Sequence, residues 1–146
     1  MSPSSDFTIP DSYPRSPRET LAGYVIAGRT LDKCRASVDG TLGDYHFDCP
    51  LDHFFFNFAG LSPEGFKEFV ATGADDEAVA QWITENATNR EPREIIQWNN
   101  DMRGKRLCEM PIELQEFLEG YIPENLPPNR PVYVWFDVYD LEEGRM

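Results

Sequence analysis

The sequence predicts an all-α protein, a single compact domain of five to seven short helices. Two observations predict this fold class. Apolar residues recur at helical spacing in most segments, and Ser, Asp or Pro precedes these segments while Gly follows them. Residues 132–139 have the β-branched and aromatic composition of a strand, yet no second segment could pair with them. This C-terminal segment is therefore ambiguous between a helix and a lone strand, and we favour a helix.

The length and composition predict one ordinary domain, since 146 residues with 40% hydrophobic content can bury a sizeable core. Residues 1–14 are rich in Ser, Pro and Asp, and we expect them to form a flexible arm before a helical domain over 15–146. The arm lacks the pattern of a signal peptide, and no apolar run approaches the ~18 residues of a membrane helix. The three widely spaced cysteines do not suggest a disulfide framework, so we expect a cytoplasmic protein.

The charge is strongly negative, at −13. This balance argues against a nucleic-acid binder, which needs clustered Lys and Arg to contact phosphates. Residues 41–89 hold nine acids and a single base, Lys67. An acidic surface most often serves solubility; a basic protein partner or mimicry of a nucleic-acid backbone are the alternatives.

The first helix is predicted over residues 17–38. Ser16 and Glu19 have the spacing of a capping box, and Pro17 suits the first helical position. The apolar pattern continues to Val38, shortly before Gly40. Gly23 is a poor helix former inside this segment, as is Gly28, and we expect another backbone to approach the helix there.

Five further helices are predicted from start and stop signals. They run from Pro50 to Phe58, from Pro63 towards Gly73, from about Asp75 through Ile83, from Pro92 to Met102 and from Pro111 through Tyr121.

The stretch between Gly40 and His53 contains both histidines and a cysteine, as His46, Cys49 and His53. Imidazole nitrogens and a thiolate sulfur are ligands for zinc, and also for copper. The nearby acids Asp44, Asp48 and Asp52 could orient the rings. A structural zinc site usually has four protein ligands, however, and a Cys-x-x-Cys pair is missing.

Cys49 could instead be a nucleophile, because it immediately precedes a helix N-terminus and has His46 or His53 nearby as a base. A simpler interpretation is an extended linker, in which alternate residues pack inward and the others face water. Tyr45, Phe47, Cys49 and Leu51 would then be inward, and Asp44, His46, Asp48 and Asp52 outward. The other cysteines, Cys34 and Cys108, have apolar neighbours and are predicted to be core residues.

Basic residues along the first helix could bind a small anion, with Tyr45 beside them. Arg29 and Lys33 project from its outer side, whereas Arg35 falls within the apolar arc and needs a carboxylate or a path to water. We favour the alternative that this is a solvated face, paired with the acids of residues 41–89.

The chain resembles the domain of unknown function 5069 family, small uncharacterised and mostly bacterial proteins. Four blocks carry the resemblance: Arg15-Ser-Pro-Arg-Glu-Thr-Leu-Ala-Gly-Tyr, Arg29-Thr-Leu-Asp-Lys-Cys-Arg35, Gly40-Thr-Leu-Gly-Asp-Tyr-His-Phe-Asp-Cys-Pro-Leu-Asp52 and Trp135-Phe-Asp-Val-Tyr-Asp-Leu-Glu-Glu-Gly-Arg145. The resemblance implies a single cytoplasmic domain and supplies no reaction, cofactor or partner.

The leading functional hypothesis is therefore a non-catalytic binding or interaction module. It would take a small anion or a protein partner's segment between the first helix and residues 40–53, without membrane or nucleic acid. The alternative is a small metal protein or cysteine-dependent enzyme that uses His46, Cys49 and His53, with zinc as the possible metal and Arg35 as an anchor for an anionic substrate.

Overall fold

The computed structural model describes residues 13–128 and 131–145. Seven α-helices and one two-stranded sheet lie in this part of the chain, so the all-α fold class and the predicted number of helices are confirmed. Chain contacts form two compact units, 1–95 and 96–146, each described by itself below. The single helical domain over residues 15–146 stays a prediction. Of the predicted arm, residues 1–12 lie outside the described part of the chain.

A β-hairpin occupies the start of the first unit. Strand β1 (Thr20–Leu21) pairs antiparallel with strand β2 (Tyr24–Val25). The two residues between them, Ala22 and Gly23, both have positive φ, at 55° and 87°. Two consecutive positive φ values are the geometry of a two-residue hairpin turn that matches the twist of the strands. The prediction of a helix from Pro17 was therefore wrong for its first ten residues.

Helix α1 (Ala27–Asp39) follows directly after a residue in an unusual conformation. Ile26 has φ 74° and ψ −38°, a region that a β-branched residue rarely adopts. Its N–H donates to the Pro17 carbonyl oxygen at 2.8 Å, and its side chain is fully buried. Burial and this hydrogen bond hold the strained residue in place, so the chain turns from the hairpin into the helix.

Helix α1 is the central element of the first unit, because every residue from Ala27 to Ala36 is buried. A surface helix would bury one stripe and expose the other. Here the buried set includes four charged residues. They are Arg29, Asp32, Lys33 and Arg35. The helix ends at Gly40, whose left-handed conformation closes it.

Three short helices surround this centre, and their bounds follow the predicted start signals. Helix α2 is Pro50–Ala59, α3 is Pro63–Val70 and α4 is Asp76–Asn86. Helices α2 and α3 begin with the proline that suits a first helical position. The side chain of Ser62 caps α3, and that of Asp75 caps α4.

Aromatic side chains form the apolar core beside these helices. The rings of Phe55 and Phe56 lie 5.4 Å apart between centroids, and Phe56 lies 5.4 Å from Phe66 in an edge-to-face arrangement. Tyr24 contacts Phe55, and Trp82 contacts Phe66. The hairpin, α2, α3 and α4 thus share one aromatic cluster.

The second unit begins within helix α5 (Pro92–Arg103). It continues with a single 3-10 turn (Leu107–Glu109), helix α6 (Ile112–Asn125) and helix α7 (Trp135–Glu142). A cavity of about 320 Å³ lies along α6. Its lining includes Cys108, Leu118 and Ile122. The prediction that Cys108 is a core residue was wrong, because the residue is exposed.

The ambiguous C-terminal segment forms the favoured helix after a short extended stretch. Val134 makes an isolated antiparallel bridge with Arg106, and the N–H of Trp135 donates to the Lys105 carbonyl oxygen at 2.9 Å. Helix α7 starts at Trp135, and the Asp137 carboxylate in its first turn accepts hydrogen bonds from the N–H groups of Tyr133 and Val134. Among the described residues, no helix has the length and apolar character needed to cross a membrane.

Replacement of Ala22 by Asn should stabilise the first unit. Asn adopts positive φ more readily than Ala, and Asn-Gly is the preferred pair for this hairpin turn. We expect the free energy of unfolding to rise by about 0.5–1 kcal/mol in urea titration. The exposed Ala71, with φ −64°, is the control position, where the same substitution should give no gain. Equal effects at both positions would contradict the strain at Ala22.

Candidate functional site

The buried charged residues of helix α1 lie on two different faces. Arg29 and Lys33 are four residues apart and share one face, while Asp32 and Arg35 share another. All four are at most 8% exposed. The predicted solvated face of Arg29 and Lys33 was therefore wrong, although the expectation that basic residues pair with acids of residues 41–89 is confirmed for Lys33 and Arg35.

One face of α1 contributes Asp32 and Arg35 to an arginine–aspartate cluster. Arg15 and Asp76 complete this cluster. Arg15 donates to both carboxylate oxygens of Asp32, at 3.0 and 3.1 Å, and its Nη1 donates to Asp76 at 3.0 Å. Arg35 donates to the other oxygen of Asp76 at 2.7 Å and to the Ala74 carbonyl oxygen at 3.0 Å. The cluster ties the segment before the hairpin and helix α4 to α1.

Gly28 makes room for this cluster. A Cβ atom at this position would lie 3.3 Å from Arg15 Nε and 3.4 Å from Arg15 Cδ. The expected close approach at Gly28 is thus real, but its cause is the Arg15 side chain rather than another backbone.

The pKa of Asp76 is shifted by its surroundings. Burial acts to raise it, but the hydrogen bonds and positive charges of Arg35 and Arg15 outweigh burial, and the pKa lies below the usual range of a carboxyl group. Asp76 therefore remains ionised in the folded protein under mildly acidic conditions.

The other face of α1 contributes Lys33 to a lysine–aspartate–cysteine triad. Asp52 and Cys49 are the other two members of the triad. Lys33 Nζ lies 3.0 Å from Asp52 Oδ2 and donates to Cys49 Sγ at 3.1 Å. Thr30 Oγ1 donates to the second oxygen, Oδ1 of Asp52, at 2.6 Å. The Lys33 side chain is 4% exposed and that of Asp52 is fully buried, whereas Cys49 is half-buried.

Asp52 has a second role as the cap of helix α2. Its Oδ2 accepts hydrogen bonds from the N–H groups of Asp48 at 2.8 Å and Cys49 at 3.2 Å. These are N–H groups at the helix start that the helix itself cannot satisfy. The prediction that Asp52 faces water was wrong, because this carboxylate links Lys33 to the helix N-terminus.

The linker before α2 otherwise has the predicted alternation. Tyr45, Phe47 and Cys49 are half-buried, while the two acids and the histidine that alternate with them are exposed. Arg29 extends over the Tyr45 ring, with its guanidinium carbon 5.6 Å from the ring centroid, and donates to the Arg15 carbonyl oxygen at 3.2 Å. Two predicted ligand-binding residues, Arg29 and Tyr45, thus lie together. Lys33 and Arg35 face different partners.

Neither histidine has a hydrogen bond to the sulfur of Cys49 in the described part of the chain. His53 Nε2 pairs with Asp48 Oδ1 at 2.7 Å on the surface, and His46 is exposed. In residues 13–128 and 131–145, the side-chain hydrogen bond of Cys49 is made with Lys33 and with neither histidine. Over the same residues, no three His, Cys, Asp or Glu side chains are grouped so that they could hold a metal ion.

The three cysteines, all free, differ strongly in their surroundings. Cys34 is fully buried, as predicted, and burial raises the pKa of its thiol to about 12. Cys108 is exposed and Cys49 is half-buried beside an ammonium group. The sequence did not identify Lys33 as the partner of Cys49. The available signal was the spacing Cys-x-x-Asp at a helix start, which places Asp52 where a capping acid is expected.

A family model, "Domain of unknown function (DUF5069)", matches residues 11–145. The chain belongs to this family. The match contains the whole of the arginine–aspartate cluster and the triad, and it spans all the helices of both units. No curated protein matches the chain. Membership of the DUF5069 family assigns no reaction to the chain.

Replacement of Asp52 by Asn should strongly destabilise the protein. The substitution removes the carboxylate charge and leaves the buried Lys33 ammonium without its anionic partner, which costs about 3–5 kcal/mol in the free energy of unfolding. The neighbouring Asp48→Asn is the control, because Asp48 and its partner His53 are both exposed and their pair contributes less than about 1 kcal/mol. Chemical denaturation of both variants measures the difference, and similar losses would contradict the role of Asp52.

The arginine–aspartate cluster should make stability depend on pH through Asp76. Because its pKa is lower in the folded than in the unfolded protein, its contribution is complete above the ordinary carboxyl pKa of about 3.9 and is lost as the pH falls through the lower folded value. Asp76→Asn should reduce the free energy of unfolding by about 2 kcal/mol at pH 7, since Asp76 is partly exposed.

The wild-type protein and Asp76→Asn should become more alike in stability as the pH is lowered from 5 to 2.5. Urea titrations across this range measure the difference. A difference that stays constant would show that ionised Asp76 does not stabilise the fold.

Proposed function

We propose that this protein is a binding module that captures small thiol-reactive molecules covalently through Cys49. One observation carries the proposal: a half-buried sulfur accepts a hydrogen bond from the buried Lys33 ammonium at 3.1 Å. Reactive cysteines in proteins are found next to positively charged side chains such as Lys, in partly exposed positions. This site lies between α1 and the linker of residues 40–49, where the sequence suggested ligand binding.

Lys33 is held in a fixed position relative to the sulfur. Its ammonium is bound on the other side by Asp52, whose second oxygen is bound by Thr30. A lysine on the surface would sample many rotamers, whereas this one is buried and paired. The positive charge is therefore in place before a ligand arrives, which supports binding without a large rearrangement.

The charges around the triad favour an uncharged or cationic ligand over an anion. Arg35 already binds Asp76, and Lys33 already binds Asp52. Both cations are therefore paired with carboxylates of this chain before any ligand binds. The solvent side of the linker carries Asp44 and Asp48, and the whole chain has a net charge of −13. An approaching anion meets repulsion from this surface.

The proposal changes the predicted roles of the residues near Cys49. Lys33 replaces His46 and His53 as the group that acts on the sulfur, since the contact of 3.1 Å is with Lys33. Arg35 is too buried to anchor an anionic substrate, at 5% exposed. We further infer a reducing cytoplasm as the compartment, because a free thiol at Cys49 persists there.

Alkylation with iodoacetamide at neutral pH should modify Cys49 before the other cysteines. The exposed Cys108 is the internal control for accessibility, and the buried Cys34 should react last. We expect Cys49 to react at least about threefold faster than Cys108, although it is less exposed. Mass spectrometry of digested samples taken over time gives the three rates.

Two further comparisons identify the cause. Lys33→Met, which keeps an unbranched side chain one atom shorter and removes its charge, should slow the alkylation of Cys49 and leave that of Cys108 unchanged. The anionic reagent iodoacetate should discriminate less in favour of Cys49 than iodoacetamide does. If Cys108 reacts first in the wild-type protein, or Cys49 reacts no faster than a free thiol, the proposal is wrong.

A further inference from the structure

We propose that a hydroperoxide converts the triad into a covalent cross-link, in which the sulfur of Cys49 is bonded to Nζ of Lys33. The triad is then an oxidative modification site as well as a ligand site. This inference rests on the proposed function, because the peroxide must reach the same sulfur that small electrophiles reach.

The geometry places the two bonding atoms next to each other before any reaction. Lys33 Nζ and Cys49 Sγ are 3.1 Å apart, and the lysine is held there by Asp52. A sulfenic acid condenses with a nearby thiol to give a disulfide or with a backbone nitrogen to give a sulfenamide, and we extend this reaction to a side-chain amine. Cys34 is fully buried in the apolar core, so the nucleophile in contact with Cys49 is the Lys33 nitrogen.

The first step oxidises the sulfur. The Cys49 sulfur attacks one oxygen of hydrogen peroxide, a sulfur–oxygen bond forms and the oxygen–oxygen bond breaks. The departing oxygen leaves as water after taking the thiol proton, and Cys49 becomes a sulfenic acid. Sulfur loses two electrons and the peroxide gains them.

The second step joins the two residues. Lys33 transfers one proton to the Asp52 carboxylate, which lies 3.0 Å away. The resulting amine attacks the sulfenic sulfur, a nitrogen–sulfur bond forms, and the sulfur–oxygen bond breaks with loss of water. The products are a neutral sulfenamide and a protonated Asp52, so the buried site holds no uncompensated charge after the reaction.

The cross-link can be detected in the wild-type chain by mass spectrometry. The protein is treated with hydrogen peroxide, the peroxide is removed, and the denatured chain is blocked with iodoacetamide before digestion with trypsin. We expect peptides 30–35 and 36–67 to be linked, with a mass two hydrogen atoms below their sum plus one blocking group. The block must be on Cys34, which excludes a disulfide between Cys34 and Cys49. Reduction with dithiothreitol before blocking should abolish the linked species, and trypsin should then also cleave after the freed Lys33, which gives peptides 30–33, 34–35 and 36–67.

Variants test the assignment of the nitrogen. Lys33→Arg keeps the positive charge but replaces the amine, so the cross-link should be lost and dimedone should trap more sulfenic acid at Cys49 than in the wild-type protein. Cys108→Ser should leave the yield of cross-link unchanged. A cross-link that persists in Lys33→Arg, or is lost in Cys108→Ser, overturns the assignment.

The result also separates the two proposals. If Cys49 is alkylated rapidly but peroxide yields only its sulfenic or sulfinic acid with Lys33 unmodified, the cross-link is refuted and the thiol site stands. If Cys49 neither alkylates faster than a free thiol nor reacts with peroxide, both proposals are refuted.

Discussion

The burial of helix α1 on all sides is the constraint on which the first unit depends. A buried charge is costly unless another group compensates for it, and this helix contains four buried charged residues. Compensation must come from other segments, so the chain brings Asp76 to Arg35 and Asp52 to Lys33. The positions of α2 and α4 around the helix are therefore set by ion pairs as well as by apolar packing.

Much of the fold could be predicted from local signals, and its failures have physical causes. The prolines and capping residues at the starts of α2, α3 and α4 predicted those helices well, because capping depends on nearby residues. The capping-box pattern after Ser16 also forms locally, since its N–H donates to the Glu19 carboxylate. It starts no helix, because Ala22 and Gly23 reverse the direction of the chain and form a hairpin a few residues later.

The candidate site was less predictable, since its partners are distant in sequence. Helical periodicity placed Arg29 and Lys33 on an outer surface, which is correct only if nothing covers that face. Asp52 and Cys49 cover it, and neither periodicity nor composition indicates that contact. The sequence indicated the right segment, residues 40–53. It suggested histidine as the partner of the sulfur because the histidines are near in sequence, whereas the structure places lysine there.

The double role of Asp52 has a consequence for the linker as a whole. One oxygen atom of this carboxylate binds both the lysine next to the sulfur and the first N–H groups of α2. A change at the sulfur that alters the lysine must therefore alter the anchoring of the linker. Because such coupling is reciprocal, a change in the anchoring of the linker must also alter the lysine and the sulfur beside it. If Cys49 captures a ligand as proposed, a partner molecule bound to the exposed side of residues 40–48 would change the affinity of Cys49 for that ligand without touching the cysteine.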